Sequence, residues 1–84
     1  MTYAIISAQV RLETGPTRVG DDQSDPDLMR SLDAHWIRPM GENVSFWRTE
    51  LPPRGVVNRL AAQGFRVVST TGVGQTFVVT LFKE

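Results

Sequence analysis

Residues 65–83 read Phe65-Arg66-Val67-Val68-Ser69-Thr70-Thr71-Gly72-Val73-Gly74-Gln75-Thr76-Phe77-Val78-Val79-Thr80-Leu81-Phe82-Lys83, and this stretch decides the fold. It predicts two strands, Phe65–Thr71 and Thr76–Lys83, joined by Gly72-Val73-Gly74-Gln75. The second strand is apolar on nearly every position from Phe77 to Phe82, so both of its faces ask for cover. An antiparallel sheet normally keeps one face wet. Two short helices can cover one face of such a sheet but not both, which points to a second copy of the chain on the other.

Upstream, Pro52-Pro53 opens a helix that Gly64 closes. Val56, Val57, Leu60 and Ala61 are expected to share its inner face. Before it, Trp36–Pro39 and Val44–Arg48 predict short strands around a Gly41-Glu42-Asn43 turn, and Pro39 favours an edge position. Ser24-Asp25-Pro26-Asp27 starts another helix: Ser24 or Asp25 caps it, Pro26 suits the first turn, and Leu28, Met29 and Leu32 form its apolar stripe. At the start of the chain, Ile6, Ala8, Val10 and Leu12 alternate with Ser7, Gln9 and Arg11 in a strand over residues 3–12. Gly15-Pro16-Thr17 breaks it, and Thr17-Arg18-Val19 returns as a hairpin partner. The order is ββαββαββ, an α+β domain with a six-stranded antiparallel sheet and two helices over residues 1–84.

The chain has 84 residues, no cysteine and one histidine. At this size the apolar area one chain can bury is worth roughly 125 kcal/mol. Ordering it at ~1.5 kcal/mol per residue costs about the same. Disulfides, thiolate metal sites and a cysteine nucleophile are excluded, as is a two-histidine metal site within one chain. Self-association remains as the staple. Nine basic residues, eight of them arginine, balance nine acidic ones, which leaves no electrostatic footprint for nucleic acid. No basic run, apolar span or signal-type leader is present, so the chain reads as intracellular and cytoplasmic, without membrane insertion.

Catalytic constellations are thin. His35 is the only imidazole and has no evident nucleophile to serve. Asp21, Asp22, Asp25 and Asp27 lack calcium-loop spacing and suit turn and cap duty. Thr71-Gly72-Val73-Gly74-Gln75-Thr76 is the better candidate: glycines let backbone amides approach a small anion such as a carboxylate, and Gln75 adds a donor and an acceptor. A plain hairpin turn accounts for the same glycines. Arg11, Arg18 and Arg66 fit surface charges and interface anchors equally well.

Several motifs together carry a resemblance: Ile6-Ser7-Ala8-Gln9-Val10-Arg11, Gly15-Pro16-Thr17-Arg18-Val19-Gly20-Asp21, Ser24-Asp25-Pro26-Asp27-Leu28-Met29, Pro52-Pro53-Arg54, Gly64-Phe65-Arg66-Val67-Val68-Ser69, Thr71-Gly72-Val73-Gly74-Gln75-Thr76 and Lys83-Glu84. In that order they resemble the GTP cyclohydrolase I feedback regulatory protein family over essentially the whole chain, with a departure at about 33–51. The resemblance implies a non-catalytic regulator without a cofactor of its own. It implies a ring-shaped homopentamer, two of which dock on the decameric GTP cyclohydrolase I. Tetrahydrobiopterin then holds the enzyme inhibited, and L-phenylalanine, seated at the interface, holds it active. It also allows a nuclear location. On this basis Gln9, Val10, Val73, Gly74 and Gln75 are expected to contact phenylalanine, and Arg11, Arg18 and Gly72 the partner enzyme.

Two other classes compete. A free-standing amino-acid-sensing module of the ACT kind would bind phenylalanine or another amino acid without a second protein. A small oligomeric enzyme would place its site between subunits around His35.

Overall fold

The computed structural model describes residues 2–9, 15–21, 23–38, 40–41, 45–73 and 76–84. Six strands and two helices follow the expected order: β1 (Thr2–Gln9), β2 (Thr17–Val19), α1 (Pro26–Ser31), β3 (His35–Ile37), β4 (Phe46–Thr49), α2 (Pro53–Ala62), β5 (Arg66–Val73) and β6 (Thr76–Lys83). The strands form one sheet in the order β3-β4-β2-β1-β6-β5, antiparallel at every pairing. The two longest neighbours, β1 and β6, pair from Thr2↔Lys83 to Gln9↔Thr76. β3 lies at the sheet edge, as Pro39 suggested from sequence, although Pro39 itself lies outside the described residues.

Pleating sends alternate residues to opposite faces. On one face Ala4, Ile6 and Ala8 of β1, Val19 of β2 and Val79 and Leu81 of β6 are buried. All but Ala8 join Met29, Leu32 and Ala34 around α1, and Val56, Leu60 and Phe65 around α2, in one core. Both helices therefore cover the same face. Ala61 is exposed rather than part of the inner face of α2, which is made by Pro53, Val56 and Leu60 with Val57 packed against the core.

The other face is open in the single chain. Tyr3 and Ile5 are 65% and 48% exposed. Tyr3 sits opposite Phe82 with ring centroids 4.8 Å apart. The both-sided apolar character of β1 and β6 thus meets cover on one side only, as two short helices require.

Local signals explain the helix ends. Asp25 is the α1 cap, its Oδ1 accepting from Asp27 N–H at 3.0 Å, while Ser24 Oγ accepts from Asp21 N–H. Both helices end with the same paired bonds: Ala34 N–H to Met29 O and Asp33 N–H to Arg30 O, then Phe65 N–H to Leu60 O and Gly64 N–H to Ala61 O. This ending needs a left-handed residue, supplied by Gly64 at φ 97° and by Asp33 at φ 56°. Asp33 also pairs with Arg59 at 3.1 Å, tying the two helix ends together.

Thr17 and Thr49 are buried and directly opposite on β2 and β4. Thr17 Oγ1 donates to Leu51 O at 2.8 Å, and Leu51 N–H donates to Thr49 Oγ1 at 3.3 Å. These bonds hold the turn that leads from β4 into α2.

Gly20 leaves β2 at φ 62°, and a Cβ there would strike Ser24 Oγ and stand 3.0 Å from Met29 Sδ. Gly20→Ala is expected to destabilise the chain by about 1–3 kcal/mol, from backbone strain and displaced packing. A denaturant titration with an unchanged slope and a lower midpoint checks it.

Candidate functional site

Of the residues expected to contact phenylalanine, Gln9 and Val73 are described, and they lie at one end of the β1–β6 ladder. Gln9 is opposite Thr76, and Thr76 is opposite Val73, so the register brings Gln9 and Val73 into one row. The next row inward is Ala8, Phe77 and Gly72. Ala8 is buried and Phe77 packs against the core, which anchors the base of the hairpin. Val10, Gly74 and Gln75, and Arg11 of the expected partner interface, lie outside the described residues.

Gly72 belongs to β5 rather than to the connecting loop, since pairing continues through Val73. Its φ is not positive, and a Cβ built on it meets nothing nearer than Thr76 O at 3.9 Å. Hairpin geometry therefore does not require glycine at this position.

Arg18 is on the open face, two strands from the hairpin. It pairs with Ser7 on β1 and Arg48 on β4, and its guanidinium lies 3.8 Å from the Phe46 ring centroid. Arg48 is in turn opposite His35 on β3. Sequence reasoning missed Phe46 and Arg48 because strands of three and four residues are too short to show a period. The available signal was the Phe46-x-Arg48 spacing, which puts both side chains on one face of a strand. Trp36 and Trp47 face each other on β3 and β4, 5.4 Å apart and edge to face, with Trp47 against the core.

The described aspartates at and before the start of α1 have structural duties. Asp21 Oδ1 accepts from Gln23 N–H and from Ser24 Oγ, Asp25 caps α1, and Asp27 pairs with Arg30 at 2.6 Å. Asp22 lies outside the described residues. Among the described residues no group of three histidine, aspartate or glutamate side chains could hold a metal ion, and no helix is long and apolar enough to cross a membrane. A cleft of about 430 Å³ opens between Asp25, Leu28, Gln63 and Lys83. It adjoins the Thr2–Lys83 end of the β1–β6 ladder, the end remote from the hairpin.

The sequence profile of the GTP cyclohydrolase I feedback regulatory protein family matches residues 2–84. The chain is 54% identical over 84 residues to the GTP cyclohydrolase 1 feedback regulatory protein of Danio rerio, covering all of this chain and 94% of that one. It is 51% identical to the proteins of the same name from Xenopus tropicalis and Xenopus laevis, covering all of both chains in each case.

The open space around Gly72 separates folding from binding at that position. Gly72→Ala is expected to leave stability unchanged or to raise it by up to about 1 kcal/mol, since glycine weakens a strand interior. Thermal unfolding checks this; a loss of more than about 1 kcal/mol would mean that the backbone there is strained after all.

Proposed function

The chain belongs to the family of GTP cyclohydrolase I feedback regulatory proteins, and on that premise we propose that it is a non-catalytic regulator of GTP cyclohydrolase I. Residues 1–84 act as one regulatory domain that assembles as a ring-shaped homopentamer. Tetrahydrobiopterin promotes an inhibited complex with the enzyme, and L-phenylalanine an active one. The observation that carries the reading is relatedness over the full chain, at 51–54% identity, to proteins bearing that name.

Phenylalanine is held where the two proteins meet. Loop amides around Gly74 and the Gln75 side chain take its polar end, and Val10 and Val73 contact its ring, beside Gln9. Arg11, Arg18 and Gly72 lie toward the enzyme. The shared row of Gln9 and Val73 at the sheet end supports this grouping. A ligand that bridges two proteins strengthens their association, and association strengthens ligand binding by the same factor. The regulator shifts the enzyme only through unequal affinity for its two states. Five weak contacts on a five-fold face add avidity without any single strong one.

Analytical ultracentrifugation of the chain with GTP cyclohydrolase I tests the proposal. A species of about five copies that joins the enzyme when phenylalanine or tetrahydrobiopterin is added is the expected result. A chain that ignores the enzyme under every ligand condition overturns it, and tight phenylalanine binding to the isolated chain by calorimetry would favour a free-standing sensor. Gln75→Ala is expected to keep the pentamer while losing phenylalanine-dependent association; a wild-type response would remove the site.

The open apolar strands supply the contact between copies. Ile5 is half exposed there, opposite Thr80, so Ile5→Arg costs little in the single chain but places a charge in the contact. The variant is expected to sediment as a folded monomer, with unchanged circular dichroism. A pentamer that survives the substitution would place the contact elsewhere.

A further inference from the structure

The open face has two chemically different halves. Over β1 and β6 it is uncharged and mainly apolar, with Tyr3, Ile5, Val78 and Phe82 beside Ser7 and Thr80. Over β2, β4 and β3 it carries the row Arg18, Arg48 and His35, each directly opposite the next. Burial fixes the direction of this row. Thr17 and Val19 flank Arg18 on the helix side, and Thr49 and the core-packed Trp47 flank Arg48 in the same way.

Directly opposed like charges weaken a sheet; strand alternation explains why positions 18 and 48 face outward together, not why both are arginine. The two are also held differently. Arg48 Nη2 is 3.3 Å from Glu50 Oε1, both side chains being substantially exposed. Arg18 is stacked on Phe46, and no carboxylate among the described residues pairs with it. Stacking fixes the plane of a guanidinium and leaves its edge donors available, the arrangement that receives an oxyanion through two parallel bonds.

We propose that Arg18, Arg48 and His35 form a binding site for a phosphate group on the β2–β4–β3 half of the open face. Three donors on adjacent strands, their Cβ atoms about 5 Å apart, match the several oxygens of a phosphoryl group. Its double charge answers two guanidiniums, one of which Glu50 already half-neutralises; a single carboxylate would add nothing that Glu50 lacks. Arg18 supplies the bidentate edge, Arg48 the second cation, and His35 a further ring donor at the sheet edge. The isolated chain contains every group in the site, so it is tested without the enzyme, although the regulator reading also turns Arg18 toward that partner.

Inorganic phosphate and a phosphate monoester, each compared with chloride at matched ionic strength, are the probes, read by thermal unfolding and by arginine Nε–Hε resonances. Phosphate is expected to stabilise the wild-type chain beyond chloride and to shift the Arg18 and Arg48 resonances but not those of Arg66, which lies at the far side of the same face near Phe82. Arg18→Gln is expected to weaken phosphate binding at least about tenfold, and Arg66→Gln to leave it unchanged. Tighter binding of the monoester would identify a phosphorylated metabolite as the source, and equal binding the free anion. No response beyond chloride, or an equal response in the Arg18 and Arg66 variants, overturns the site. The resonance shifts are read on wild-type protein, so the outcome does not depend on any variant folding.

Discussion

The structure depends on a ladder that is covered on one side only. β1 and β6 pair along eight residues each, and Ile6 and Val79 lie opposite each other in the core. Burying such side chains stabilises by about 1.5–3 kcal/mol each, and the helix layer supplies that burial once. The described residues include no second layer, and the thinnest dimension is 18 Å. Each strand can therefore bury only one of its two side-chain sets in the single chain. The unburied set, Tyr3, Ile5 and Phe82 among it, follows directly from that limit.

The short strands β2 and β4 depend on a different device. A strand of three or four residues has little apolar surface to commit, so β2 and β4 are held by polar groups inside the core. Thr17 and Thr49 engage the carbonyl and the amide of Leu51 respectively. Each bond contributes about 1 kcal/mol, and leaving a buried partner unpaired costs more. Since Leu51 precedes α2, the same bonds position the helix over the core. The placement of Arg18 and Arg48 on the open side is a consequence: their neighbours Thr17 and Thr49 are committed to the inside.

The long elements were legible in the sequence because their patterns are long enough to have a period. The helix boundaries at Asp25-Pro26 and Gly64 were legible because cap chemistry restricts which residues can stand there. The two-sided apolar character of Phe77–Phe82, interrupted only by Thr80, was legible, and the single chain covers one side of it. What escaped was pairing across distance. Nothing in the sequence places β4 between β2 and β3, and the Arg18–Arg48–His35 row exists only through that order. Gly72 was misread for a related reason: a glycine in a Gly-x-Gly run looks like turn geometry, but pairing with Phe77 carries β5 two residues further. Ala61 was assigned to the inner face of α2 by spacing, yet a helix of ten residues on a twisted sheet buries a narrower stripe.

The division of the open face into two halves bears on how the proposed regulator would act by association. The proposed association would use surfaces of two kinds: one that joins copies of the chain, and one whose affinity follows a ligand. Apolar contact serves the first, because it is non-directional and scales with area. The second needs directional donors whose partners come from outside the chain, which a closed hydrogen-bond network cannot offer. The edge of the Arg18 guanidinium, with which no carboxylate among the described residues pairs, is of this kind, and it is fastened to β2 within the sheet rather than to an independent loop. The cost of keeping Arg18 opposite Arg48 is at most about 1 kcal/mol, small beside the burial beneath it. A fold with a one-sided core can therefore carry unsatisfied polar groups on its free face without endangering the layer that holds it together.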